Sequence, residues 1–337
     1  MVDEGLILSR FVHYAALLFT FGVCFFPIYA FSGNDRQGRL DYWNKSRSGV
    51  LVASLIGLAS GICWLLFTAA SMAGSLSEAL SLETMGTVLA DTGFGGVWSV
   101  HLGLVAALSV LAGRDRWIRH PHAISITVLS AACLASLAGV GHTQAQGGLG
   151  LFVHVIADGT HLLAAGAWLG GLVVLLAVLV SRGYPNDPSK TGVDHVLMRF
   201  SGMGYAAVAL LVGTGAVNSW YLVPSISQLP ASLYGQLLII KLGLFALMLL
   251  LAAMNRFWLV PNLQAATPGS QTKSSLFRLR YHVVGEQFLG VLIIALVSVL
   301  GTLAPSGDSD SVANCPHDLR GPATHSFLAA SPTEDRS

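Results

Sequence analysis

Eight windows of mostly apolar residues run through this chain, near 6–31, 48–70, 93–112, 121–140, 150–181, 196–222, 232–256 and 280–304. Each is close to the ~20 residues a helix needs to cross ~30 Å of hydrocarbon. No other feature constrains the fold as strongly. Backbone inside hydrocarbon must satisfy its own hydrogen bonds, and an isolated apolar run of this length does so only as a helix. Charged residues make up 10% of the chain and hydrophobic ones 53%, whereas a soluble domain carries roughly 25% charged residues. The expected fold is all-α: a polytopic membrane helix bundle of eight transmembrane helices. Residues 1–140 and 141–305 form two four-helix halves, and 306–337 form a disordered periplasmic tail rich in Pro, Ser and Asp.

Basic residues set the orientation. Loop 32–47 carries Arg36, Arg39, Lys45 and Arg47; 113–120 carries Arg114, Arg116 and Arg119; 182–199 carries Arg182, Lys190 and Arg199; and 256–280 carries Arg256, Lys273, Arg278 and Arg280. The alternate loops, 71–92, 141–149 and 223–231, have neither Lys nor Arg. Every second loop is therefore basic, which places both termini on the periplasmic side of a bacterial inner membrane. The first apolar run follows Asp3 and Glu4 rather than a basic patch and is too long for a signal peptide, so it reads as a retained helix. Segment 71–92, with Leu76, Leu80, Met85 and Leu89 near helical spacing, reads either as a short interfacial helix or as a loop.

Several function classes fall away. Cys24, Cys63 and Cys133 sit in different spans without CxxC pairing, which indicates neither a disulfide framework nor a thiolate metal box. A net charge of +1, with basic residues confined to loops, gives no nucleic-acid signature. No GxxxxGK[ST] motif is present, and nothing marks the chain as an enzyme.

The polar residues inside the spans carry the functional information. An Asp at mid-helix costs roughly 2.5 to 3.5 kcal/mol on insertion scales, so an ionisable group there is a functional hypothesis. His154, Asp158 and His161 fall within an arc of about 60° on one helix face. The two histidines stand about 10.5 Å apart along the axis, too far to share one small ion. Asp158 reaches either one across i,i+4 or i,i+3. By depth, His13, His101 and Asp158 each lie about 10 to 12 Å below the outer edge of their spans, with His154 above and His161 below them. His142, in the outer loop GVGHTQAQGG, and His154 are accordingly expected to receive a metal ion from outside, and Asp158, His161, His13 and His101 to hold it in the outer leaflet, with helices 1, 3 and 5 sharing one site at the common depth of His13, His101 and Asp158.

Plainer readings stand beside these. A lone membrane histidine often only bonds a neighbouring helix. Lys241 is a possible charge partner for Asp158, and Glu286 is expected to pair with Arg278 or Arg280. Gly213-Thr214-Gly215 and Gly170-Gly171 read as close-packing positions. Cys315, His317 and His325 of the tail read as incidental ligands. Imidazole suits copper, zinc, iron and nickel, and a His/Asp site with few methionines fits Cu(II) at least as well as Cu(I). Paired histidines at matching depth would equally ligate haem b for electron transfer. A copper sensor or delivery scaffold that transports nothing is a third possibility.

The ordered series Gly141-His142, His154, Asp158, His161-Leu162-Leu163, Trp168, Gly170-Gly171, Tyr234-Gly235, Lys241, Asn255-Arg256 and Glu286 resembles the copper resistance protein D (CopD) family over about 142–305. The first four spans resemble it more loosely, through His13 and the topology. The resemblance implies an eight-span inner-membrane protein of copper homeostasis that moves copper ion inward from the periplasm. It also implies a periplasmic copper-binding partner of CopC type, here a separate protein.

Overall fold

A computed structural model describes residues 1–31, 36–114, 120–140, 148–181, 190–222, 226–265 and 270–303. The helices are α1 (Val2–Ala30), α2 (Arg36–Ala73), α3 (Leu76–Ala79), α4 (Leu82–Asp91), α5 (Gly93–Gly113), α6 (His120–Ser136), α7 (Gly148–Ser181), α8 (Lys190–Leu222), α9 (Leu233–Met254), α10 (Val260–Ala265) and α11 (Ser270–Leu300). No strand occurs among the described residues. Among the described residues seven helical segments are long and apolar enough to cross a membrane: Val2–Ala30, Gly38–Ala73, Gly93–Gly113, Gly148–Ser181, Asp194–Leu222, Leu233–Ala265 and Gln271–Leu300. A shorter apolar helix covers Ala123–Gly139. The chain is a polytopic helical membrane protein.

The sixth long segment, Leu233–Ala265, joins α9 to α10 through a π-helical turn, Asn255–Leu259. Segment 71–92 is helical, as two short pieces. Ser75 Oγ accepts from the Glu78 amide at 3.1 Å, Ser81 Oγ from the Thr84 amide at 3.1 Å, and Thr92 Oγ1 from the Gly95 amide at 2.9 Å. Each therefore caps the helix that follows it.

α1 is the central element, packing most extensively on α2 and α7. Its contact with α7 is close because Gly22 lies against Gly170, where a Cβ on Gly170 would stand 2.7 Å from the Gly22 Cα. Two facing glycines let the backbones meet. α9 instead turns Ile239, Ile240, Leu242, Leu247 and Leu250 outward, as suits a helix facing lipid.

Pro27 lies within α1 without ending it. Having no N–H, it frees the carbonyl of Val23 one turn earlier. The Tyr42 hydroxyl of α2 donates to that carbonyl at 2.7 Å, and Thr127 Oγ1 of α6 donates to the Cys24 carbonyl at 2.9 Å. Hydrocarbon offers no water to do this instead. Tyr42→Phe is expected to destabilise the detergent-solubilised protein by about 1 to 3 kcal/mol, read as a lower Tm; an unchanged Tm would show that the Val23 carbonyl needs no partner.

Candidate metal centre

His13 of α1 and His101 of α5 are both fully buried, and their Nε2 atoms stand 2.8 Å apart. The opposite nitrogens are held in place. His13 Nδ1 lies 2.9 Å from the Gly57 carbonyl and 3.2 Å from Ser60 Oγ. A carbonyl only accepts, so His13 Nδ1 carries the proton and Nε2 presents its lone pair. His101 Nδ1 lies 2.8 Å from Ser136 Oγ, whose own hydroxyl donates to the Cys133 carbonyl at 2.8 Å. Ser136 Oγ can accept from a protonated His101 Nδ1 or turn its hydroxyl to donate to an unprotonated one, and the 2.8 Å contact to the His13 lone pair is a hydrogen bond when His101 Nε2 carries the proton. Two imidazoles thus meet through their Nε2 atoms, each with its Nδ1 engaged from behind in the way metal-binding histidines are, and a shift of the His101 proton to Nδ1 turns both lone pairs inward.

Small residues on α2 make this approach possible. Gly57 and Gly61 stand one turn apart on the face that meets α1, and a Cβ on Gly61 would come 3.1 Å from His13 Cε1 and 3.3 Å from His13 Nδ1. Indole rings close the sides. Trp98 stacks on His101 at 4.8 Å between centroids, Trp64 meets His13 edge-on at 5.7 Å, and the two indoles lie 4.6 Å apart. The Trp98 indole N–H donates to the Gly61 carbonyl at 3.2 Å. Gly61→Ala is expected to push the His13 ring by a few tenths of an ångström and weaken metal binding about tenfold while the protein stays folded. Unchanged affinity in a metal titration would show that this ring position is not critical.

The stripe on α7 is matched position by position by α8, which runs antiparallel to it. His154 stacks on Tyr221 with centroids 4.9 Å apart and planes 12° from parallel. Asp158 Oδ1 accepts from Asn218 Nδ2 at 3.0 Å, and His161 Nδ1 lies 3.0 Å from Thr214 Oγ1. Thr214 is therefore a polar partner rather than part of a tight glycine contact, and a Cβ on neighbouring Gly213 would meet nothing within 4 Å. Thr214, Asn218 and Tyr221 repeat the four-then-three spacing of His154, Asp158 and His161, which is the signal that the sequence holds for them.

His13 and His101 meet as their depths suggested, but Asp158 does not join them. α1 stands between: it turns His13 toward α2 and α5, while Tyr14 is within electrostatic reach of Asp158. Equal depth says nothing about rotation around a helix axis. Lys241 of α9 is an electrostatic neighbour of Asp158, as is Tyr234. Among the described residues no three His, Cys, Asp or Glu side chains are grouped to hold a metal ion. Arg10, also not anticipated, lies 4.7 Å over the Trp64 ring and donates to the Gly301 carbonyl, tying α1 to the end of α11. Its spacing of three from His13 and four from Tyr14, within an apolar run, was the available signal.

Glu286 departs from the expected pairing with Arg278 or Arg280. It accepts from the Asn255 amide and the Trp168 indole, while Arg280 donates to the Leu179 carbonyl. The π-helical turn begins at Asn255, and an apolar cavity of about 220 Å³ adjoins this group, bordered by Phe200, Tyr205, Leu249 and Val283. His142, Cys315, His317 and His325 lie outside the described residues.

Residues 1–151 match the family described as copper resistance protein D-like, N-terminal domain, and 194–300 match copper resistance protein D. The chain belongs to the copper resistance protein D family. A copper resistance protein D of Pseudomonas syringae pv. tomato is 29% identical over 306 residues, covering 90% of this chain and 98% of that protein. The inner membrane protein YebZ of Escherichia coli (strain K12) is 27% identical over 303 residues, covering 88% and 97%. The copper transport protein CutJ of Bacillus subtilis (strain 168) is 27% identical over 308 residues, covering 90% of this chain and 53% of CutJ. No solved structure matches the chain. The family is one of copper resistance and copper transport membrane proteins, and neither match is to an enzyme family.

Proposed function

We propose that this protein is a multi-pass protein of the bacterial inner membrane that takes copper from the periplasm and moves it toward the cytoplasm, with His13 and His101 as the ligands. The observation that carries the reading is the pair of imidazole nitrogens 2.8 Å apart inside the bundle, with both Nδ1 atoms held from behind. Two buried imidazole nitrogens that meet at one point form a ligand set for a cation once the proton between them moves to His101 Nδ1, where Ser136 Oγ accepts it. The α7 stripe, each of whose members is engaged by α8, acts in this reading as the polar lining beside α1, with Asp158 and Lys241 as its charged pair. His142 is the outer receiving group, and a separate partner of CopC type is the donor.

Haem is not favoured. A haem would need its whole macrocycle between the two rings, whereas here the rings touch and both are packed against indoles, which leaves room to admit a single ion but not a porphyrin. A delivery scaffold and a transporter differ in flux. In proteoliposomes with a copper-responsive dye sealed inside, wild-type protein is expected to admit copper and the His13→Ala/His101→Ala variant to admit none above empty vesicles. Binding without flux in the wild type would make the protein a scaffold.

A further inference from the structure

We infer that the His13–His101 site is selective for copper in its monovalent state, a selectivity that rests on the copper-site reading above. Coordination number is the first reason. Cu(II) prefers a tetragonal set of nitrogen and oxygen donors and Zn(II) a tetrahedral set of four. The pocket supplies two donors. The other faces of the imidazoles are taken by Trp64 and Trp98, and no third His, Cys, Asp or Glu joins them among the described residues. A monovalent d¹⁰ ion is satisfied by two nitrogens in a line. Such a unit spans about 4 Å at metal–nitrogen distances of about 2 Å, so loading separates the two Nε2 atoms by about 1 Å from their 2.8 Å contact.

Charge is the second reason. The cost of burying an ion rises with the square of its charge, so a divalent ion costs about four times as much to bury as a monovalent one. Nothing in the pocket offsets that. The groups behind the rings, the Gly57 carbonyl, Ser60 and Ser136, are neutral. Asp158, the carboxylate that depth alone placed with this pair, is bonded to Asn218 across α1. The ionised group that does approach is cationic: Arg10, 4.7 Å from the centroid of the Trp64 ring that abuts His13. One positive charge beside two neutral imidazoles and a guanidinium is tolerable, and two are not.

The test uses purified full-length protein in detergent, loaded anaerobically with Cu(I) under reductant or, separately, with Cu(II) or Zn(II), and challenged with Ag(I) as a redox-inert monovalent probe. Wild type is expected to bind about one Cu(I) per chain, EPR-silent, with an X-ray absorption spectrum showing two nitrogen neighbours. Ag(I) should displace it, and a tenfold excess of Zn(II) should not. His13→Gln/His101→Gln, which keeps polar side chains of similar size for the fold, should lose this binding. An EPR-active Cu(II) centre with four N/O ligands that disappears in the same variant would overturn the selectivity and leave the copper-site reading intact. Loss of dependence on both histidines in either oxidation state would overturn the reading and the selectivity together.

Discussion

His101→Ala is expected to lower copper affinity by about 100-fold or more, which is about 2.7 kcal/mol, and His13→Ala by a similar factor. The double variant should be little worse than either single one. With both nitrogens on one ion, losing either dismantles the site, and the second loss has nothing left to remove. Independent hydrogen-bonding roles would give modest losses that multiply. Copper titrations of the four proteins separate the two outcomes. The variants should remain folded, because His13 and His101 bond small neutral groups whose other partners persist, as in Ser136 with the Cys133 carbonyl.

Asp158→Asn is the second large effect, and it should fall on movement rather than binding. Asn preserves the size of the side chain and can still accept from Asn218. It removes the negative charge that faces Lys241, and a buried cation left without its counter-charge costs about 2 kcal/mol or more. Copper affinity should stay within about threefold of wild type, since α1 separates this carboxylate from the histidine pair, while vesicle flux should fall by about tenfold or more. Asp158→Asn/Lys241→Met discriminates further. A purely neutralising role for Asp158 predicts that the double variant regains both stability and flux. A role in moving copper predicts recovered stability with flux still low. Full flux in Asp158→Asn alone would remove Asp158 from the transport account.

The spans were legible because hydropathy over a window of about 20 residues reports the membrane directly, and the depth of His13 and His101 followed from counting residues along α1 and α5. What depth omits is azimuth. His13 and Tyr14 are neighbours in sequence but point about 100° apart on the helix, so one meets α5 and the other approaches α7. That single rotation separates Asp158 from the histidine pair. The α7 stripe is visible by its spacing, but which helix covers it is not, because any neighbour with polar residues at helical spacing could. Antiparallel helices pair in reverse order, and Tyr221, Asn218 and Thr214 meet His154, Asp158 and His161 in turn. Proximity along α11 pairs Glu286 with Arg278 or Arg280, yet side chains across the bundle reach it first: Asn255 from the π-helical turn and Trp168 from α7.

The central claim is that copper is held inside the bundle by His13 and His101. The measurement that tests it most directly is the copper-to-protein ratio of membranes expressing wild type or His13→Ala/His101→Ala, solubilised and purified under identical copper exposure, with Tm confirming that both are folded. One copper per chain in the wild type and none in the variant is the predicted result. An equal copper content in the two would contradict the account, and would return both histidines to the role of tying α1 to α5.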